Sequence, residues 1–195
     1  LLESASANFA ATGDRVGEAE GINGLAEIQR QRGEFDEAQQ NYERAFAIWR
    51  STGAVSADVA RLNLGLVALE RRSLQSAQRR FEQSIERFTE TSRPGLELFA
   101  RVGVLACYAA IGDRESAAGT LDRIDVLREQ ISYVDTDLAR PLYLAGEYFL
   151  EAEQLDLAVR ALDYGRSQYD SLDRRDMVAQ IDQMLSDIES QRPSR

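Results

Sequence analysis

The chain has 195 residues, 44% of them hydrophobic, and carries 33 acidic against 23 basic side chains, for a net charge of −10 and a pI near 4.7. That balance disfavours a nucleic-acid partner or an anionic membrane surface, both of which require a basic face. Every basic residue is arginine and histidine is absent, so imidazole bases, histidine metal ligands, Schiff-base lysines and the phosphate-loop lysine are all missing. Few routes to catalysis are left, and the expectation is a non-enzyme without metal or cofactor. The all-arginine basic set reads as the mark of a GC-rich, bacterial coding genome. The single cysteine, Cys107, rules out an internal disulfide framework and suits a reducing cytoplasm. The most apolar stretch, residues 99–112, reads as too short for a membrane span and carries Arg101. The opening Leu1-Leu2-Glu3-Ser4 lacks the basic segment and apolar block of a signal peptide.

An internal repeat organises the rest. Alanine recurs at residues 38, 77, 117 and 158, each followed four residues on by a bulky side chain, Tyr42, Phe81, Leu121 or Leu162. Residues 1–13, with Leu2, Ala5 and Phe9 at helical spacing, read as the second half of a repeat whose anchor precedes residue 1. On this reading the chain is a piece of a longer protein with an upstream domain. Residues 14–53, 54–93, 94–133 and 134–172 form four repeats of two helices each. Five residues before each anchor lies the turn between the paired helices, at Gly33, Arg72, Gly112 and Glu153. Glycine suits the positive φ that ends a helix, so the turns at Arg72 and Glu153 are predicted to be less sharply defined. Asp36, Ser73 and Asp113 are predicted N-caps of the second helices. Asp137 is the predicted N-cap of the fourth first helix, which would put Pro141 in or just past its first turn. In the second helices, Ala38, Tyr42, Ala45 and Trp49, and in the next copy Ala77, Phe81, Ser84 and Phe88, fall on one face. Residues 173–190, with Met177, Ile181, Met184 and Ile188 on one face, read as a capping helix, and 191–195 as a tail.

Small residues at 26, 65 and 146, aromatics at 42 and 81, and alanine at every anchor resemble the tetratricopeptide repeat family over nearly the whole chain. The chain departs from that family's pattern in three ways. Its repeats exceed the usual length of about 34 residues, Leu105 stands where a small residue is expected, and Ile124 replaces the small residue found as Ala45, Ser84 and Gly165. Repeat three is therefore the least typical. Repeats of about 40 residues carrying Leu62-Asn63-Leu64-Gly65-Leu66 are similar to those of bacterial regulatory ATPases, transcription activators and Ser/Thr kinases.

The resemblance implies an all-α, right-handed superhelical solenoid of antiparallel helix pairs in one domain, its first helices lining a concave groove. The groove residues it implies are Asn23, Glu27, Arg30, Asn63, Leu66, Phe99, Val102, Arg140, Tyr143 and Glu147, apolar in the middle and polar at the ends. Such a groove suits an amphipathic helix or an extended peptide. For Leu66 and Val102 the competing reading is core closure between neighbouring repeats. The function implied is protein–protein interaction within a larger bacterial regulatory or signalling protein, the alternative being a sensor of a peptide or small-molecule effector that regulates an upstream kinase, ATPase or activator domain. A clamp for a C-terminal carboxylate is disfavoured, because lysine is missing and only Asn63 and Arg140 stand at suitable places.

Three other features have plain structural readings. Cys107 has no histidine to activate it and reads as a small buried side chain. The acid pairs Asp122/Asp125 and Asp135/Asp137 lack the glycine and terminal glutamate of a calcium loop and read as caps or solvated faces. The arginine pairs 71/72, 79/80 and 174/175 are interspersed with Glu70, Glu82, Glu86 and Asp176, and read as salt-bridged outer faces.

Overall fold

A computed structural model describes Phe9 and residues 13–191. The expected half-repeat at residues 1–13 and the tail at 191–195 thus fall almost entirely outside the described residues. No strand occurs among those described. The chain divides into two compact units, Leu1–Ser92 and Arg93–Arg195, at the boundary between the second and third repeats.

The first unit contains α1 (Arg15–Gln31), α2 (Phe35–Thr52), α3 (Ala57–Glu70) and α4 (Leu74–Glu90). Short turns join the helices, which pack as antiparallel pairs, α1 on α2 and α3 on α4. One core cluster joins Ala19, Ile22, Ala45, Ile48, Trp49 and Ala60. Another joins Ala26, Ala38, Tyr42, Leu64 and Val67. Alanine at the anchors lets helix backbones approach, and the large side chain one turn later fills the space across the pair. Gly65 shows how tight the fit is, since a Cβ there would lie 2.7 Å from Cε1 of the buried Phe81 ring.

The second unit contains α5 (Pro94–Ile111), α6 (Arg114–Gln130), α7 (Thr136–Glu151), α8 (Leu155–Ser171) and α9 (Arg175–Gln191). Here α5 packs on α6 and α7, α7 on α8, and α8 on α9. All four anchor alanines, two in each unit, are fully buried. The small-to-large fit recurs where a Cβ on Gly146 would run into the Leu162 side chain. In repeat three Leu105 and Ile124, both large, are nevertheless buried. On α9, Ile181 and Ile188 are buried and Met177 and Met184 half-buried, while Arg166 of α8 pairs with Asp182 of α9.

Several expectations change. Arg72 and Glu153 adopt φ of 56° and 57°, in the same left-handed region as Gly33 at 78° and Gly112 at 74°. The helix pair imposes one turn geometry whether or not glycine is there to ease it, so the glycine-free turns are not looser. Asp113 caps α6 by accepting from Ser116 N at 3.1 Å, but Ser73 makes no side-chain cap and Asp36 lies inside α2, paired with Arg71. The cap of α7 is Asp135, which accepts from Asp137 N at 2.8 Å. Pro141 consequently sits inside the helix, where it removes the N–H that would have bonded the carbonyl of Asp137. The apolar stretch also starts earlier than residue 99. At 18 residues α5 is long and apolar enough, by length and composition, to cross a membrane. In this fold its Leu98, Ala100, Val102, Val104, Leu105 and Ala106 are completely buried, as is Cys107, whose thiol donates to Gly103 O at 3.7 Å.

The link between repeats three and four is an extended strap rather than a tight turn. Gln168 of α8, only 5% exposed, accepts from Asp135 N at 3.1 Å and donates to Tyr133 O at 3.0 Å. Tyr133 then lies over Gly95, where a Cβ would come within 2.6 Å of the ring.

Candidate functional site

Each unit presents a face built from its first helices. In the first unit α1 and α3 supply Asn23 and Asn63, both half-buried, with Asn63 Nδ2 donating to Asn23 Oδ1 at 3.3 Å. The bond spans 40 residues of sequence and so joins equivalent places in successive repeats. One turn along α1, Glu27 accepts from Tyr42 Oη at 2.6 Å, Arg30 Nη2 at 2.6 Å and Gln31 Nε2 at 3.0 Å. Burial pushes the Glu27 carboxyl up, but the Arg30 charge and these three hydrogen bonds outweigh it and hold the pKa below its ordinary value. The same burial, together with the bond to Glu27, drives the Tyr42 phenol far above its ordinary range. Glu27 and Arg30 thus knit α1 to α2, and Arg30 is buried. Leu66, also buried, belongs to the core.

In the second unit Val102 is completely buried and likewise belongs to the core. Phe99 of α5 is half-buried and meets Tyr133 of the strap with ring centroids 6.0 Å apart and planes at 51°. Tyr143 of α7 donates to Glu147 Oε1 at 2.7 Å and accepts from Gln180 Nε2 of α9 at 2.6 Å. Burial and then the bond to Glu147 push its phenol up to about 12. Arg140 is exposed. The Gln180–Tyr143 bond spans 37 residues and joins α9 to α7, about one turn out of the register in which Asn63 and Asn23 join α3 to α1.

Sequence patterning does not single out Tyr133, Gln168 or Gln180 as partners of these residues. Gln180 sits on the polar side of a capping helix and Tyr133 in a segment without periodicity, so neither carries a local signal. The acid pairs are occupied by the protein itself: Arg160 of α8 reaches Asp122 Oδ1 at 2.8 Å and Asp125 Oδ2 at 2.6 Å. Glu97, 3% exposed, is held by Arg101 Nε at 2.7 Å and Arg123 Nε at 3.0 Å. Burial raises its pKa, while the hydrogen bonds and charges of Arg123 and Arg101 lower it further, leaving it below its ordinary 4.5.

This arrangement is that of a helical repeat protein. The tetratricopeptide repeat family model matches residues 17–90. Among solved structures, the apo form of RapI aligns over 92% of this chain with a TM-score of 0.73 at 16% identity. BtubC (BKLC) from P. vanneervenii aligns over 82% with a TM-score of 0.62 at 17% identity. The tetratricopeptide-like repeats of a putative kinesin light chain from Podosopora anserina align over 89% of this chain and 86% of their own, with a TM-score of 0.60 at 18% identity. At such identities the likeness is one of fold. The chain spans 66% of the length of RapI and of BtubC. No curated protein sequence matches it.

Proposed function

We propose that this chain is a protein-interaction scaffold within a larger bacterial regulatory or signalling protein, and that it takes a partner peptide or helix on its first-helix faces. The tetratricopeptide match over residues 17–90 and the repeat fold support the scaffold role. The observation that carries the site is a pair of polar bridges between helices, Asn63 to Asn23 at equivalent places in successive first helices and Gln180 of the capping helix to Tyr143 of the fourth first helix. The Asn pair uses one donor and one acceptor. The Asn63 carbonyl and the Asn23 amide nitrogen are left to pair with a peptide backbone, which needs both kinds of partner. In the second unit, Phe99 beside Tyr133 offers an aromatic surface for an apolar side chain.

Peptides selected from a random display library on the intact chain provide the test, with affinities read by fluorescence polarisation. Asn63→Ala and Phe99→Ala should each weaken binding, the aromatic truncation by about 2 kcal/mol, while Arg174→Ala leaves it unchanged. Affinity lost in Arg174→Ala and kept in both face variants would move the binding surface elsewhere and defeat the assignment.

A further inference from the structure

The first unit holds a second polar concavity, made of other side chains. Gln39 of α2, Leu64 and Ala68 of α3, Arg71 and Ser73 of the turn, and Ser76 and Arg80 of α4 enclose about 250 Å³. A neighbouring hollow of about 210 Å³ shares Ser76 and Arg80 and adds Arg79 and Gln83. Residues 71–80 contain four arginines and no acid, in a chain of net charge −10. Local sequence suggests that nearby glutamates neutralise this run, and the structure adds a partner from another helix, Asp36 of α2. Glu82 accepts from Gln78 Nε2 at 2.9 Å. Arg71 is paired with Asp36, and Arg79 donates to the Gln75 carbonyl at 3.4 Å. Arg80 makes no ion pair among the described residues.

Arg80 is half-buried, so its guanidinium has lost water without gaining a carboxylate, an arrangement that costs stability unless something negative arrives. Burial depresses its pKa first. Glu43 opposes that through space, and Arg79 and Arg61 add to it. The guanidinium nonetheless stays charged in water. Ser73 stands at the N-cap of α4 without capping it, so its hydroxyl is not spent on the helix. Ser73 O receives Ser76 N and Ala77 N, each at 3.0 Å, and helix geometry leaves the amides that precede them at the start of α4 without an intrahelical acceptor.

We propose that this concavity binds a phosphate monoester. Guanidinium donors come from Arg71 and Arg80, hydroxyl donors from Ser73 and Ser76, and the positive end of α4 faces the same space, so donors converge from several sides. A tetrahedral dianion with three terminal oxygens uses such a set more fully than a planar carboxylate with two. The phosphate could be borne by a phosphorylated peptide or by a small metabolite. The site stands independently of the peptide-binding faces proposed above.

Titration calorimetry of the intact chain with O-phosphoserine, inorganic phosphate and acetate tests it, with a phosphoserine peptide and its unphosphorylated twin as further arms. Phosphate-bearing probes should bind and acetate should bind at least tenfold more weakly. If the phosphopeptide binds much more tightly than free O-phosphoserine, a peptide is the source; equal affinity points to a small phosphate. Arg80→Gln should weaken phosphate binding on the order of tenfold or more, as expected for loss of a charge-assisted hydrogen bond. Ser73→Ala plus Ser76→Ala should weaken it less, and Arg174→Gln not at all. Arg80→Gln removes no ion pair among the described residues and relieves a desolvated charge, so its melting temperature without phosphate should be no lower than the parent's, which separates lost binding from lost folding. Phosphate affinity unchanged in Arg80→Gln, or acetate bound as tightly as phosphate, overturns the proposal.

Discussion

Repeats two and three meet the same packing demand with opposite chemistry. Repeat two sets Gly65 against the Phe81 ring and turns at Arg72 with φ of 56°. Repeat three sets Leu105 on α5 and Leu121 on α6, both buried, and turns at Gly112 with φ of 74°. The pair geometry is therefore what recurs, and side-chain volume can move from one helix to the other provided the sum fills the space. The repeats differ more in how they end. Repeat two closes in a tight turn with Ser92 at φ of 52°, whereas repeat three runs into the strap clamped by Gln168.

The largest effect expected from probing this contrast is in repeat three, at Glu97. Removing the carboxylate in Glu97→Ala strands Arg101 and Arg123 and should cost about 2 kcal/mol in denaturant unfolding. Because its folded pKa lies below the ordinary 4.5, its contribution is complete above that value and fades as pH falls through the folded pKa. The acid limb of the stability–pH curve should therefore be shallower in Glu97→Gln than in the parent. A parallel curve would mean that the ion pairs contribute nothing to the fold.

Next comes the fit in repeat two. Gly65→Ala gains roughly 1 kcal/mol in helix propensity but drives a Cβ into the Phe81 ring, at a cost of about 1 to 3 kcal/mol. A net loss of about 1 kcal/mol is expected. Pairing it with Phe81→Leu in a double-mutant cycle should recover much of that loss, and strict additivity would show that the two residues do not oppose each other.

The strap should respond locally. Gln168→Ala leaves Asp135 N and Tyr133 O to water and should speed amide exchange at residues 133–136 before it changes the global melting temperature. Exchange altered uniformly over α7 and α8 would instead make Gln168 a general core residue. Smallest of all is the turn effect. Gly112→Ala should cost about 1 kcal/mol, and Arg72→Gly should gain about 0.5 kcal/mol, because only the left-handed backbone is at issue and no neighbour crowds Gly112. Opposite signs at the two sites are the measurable signature.

Much of the architecture can be read from residues in line. Helical periodicity is local, so the recurrence of Ala38, Ala77, Ala117 and Ala158 with a large residue one turn later is enough to place the helix pairs, their turns and the buried face. That Cys107 is buried also follows from its neighbours along α5. Pairings between residues far apart in the chain come from packing alone, since no local pattern connects their members. Arg160 answers Asp122 and Asp125, Gln168 clamps the strap, and Gln180 meets Tyr143. Arg80, with glutamates close by in sequence, makes no ion pair among the described residues, and Glu82 on the same helix accepts from Gln78. Arg72 and Glu153 hold a backbone angle their own chemistry resists, because two packed helices leave the short turn between them only one way to close.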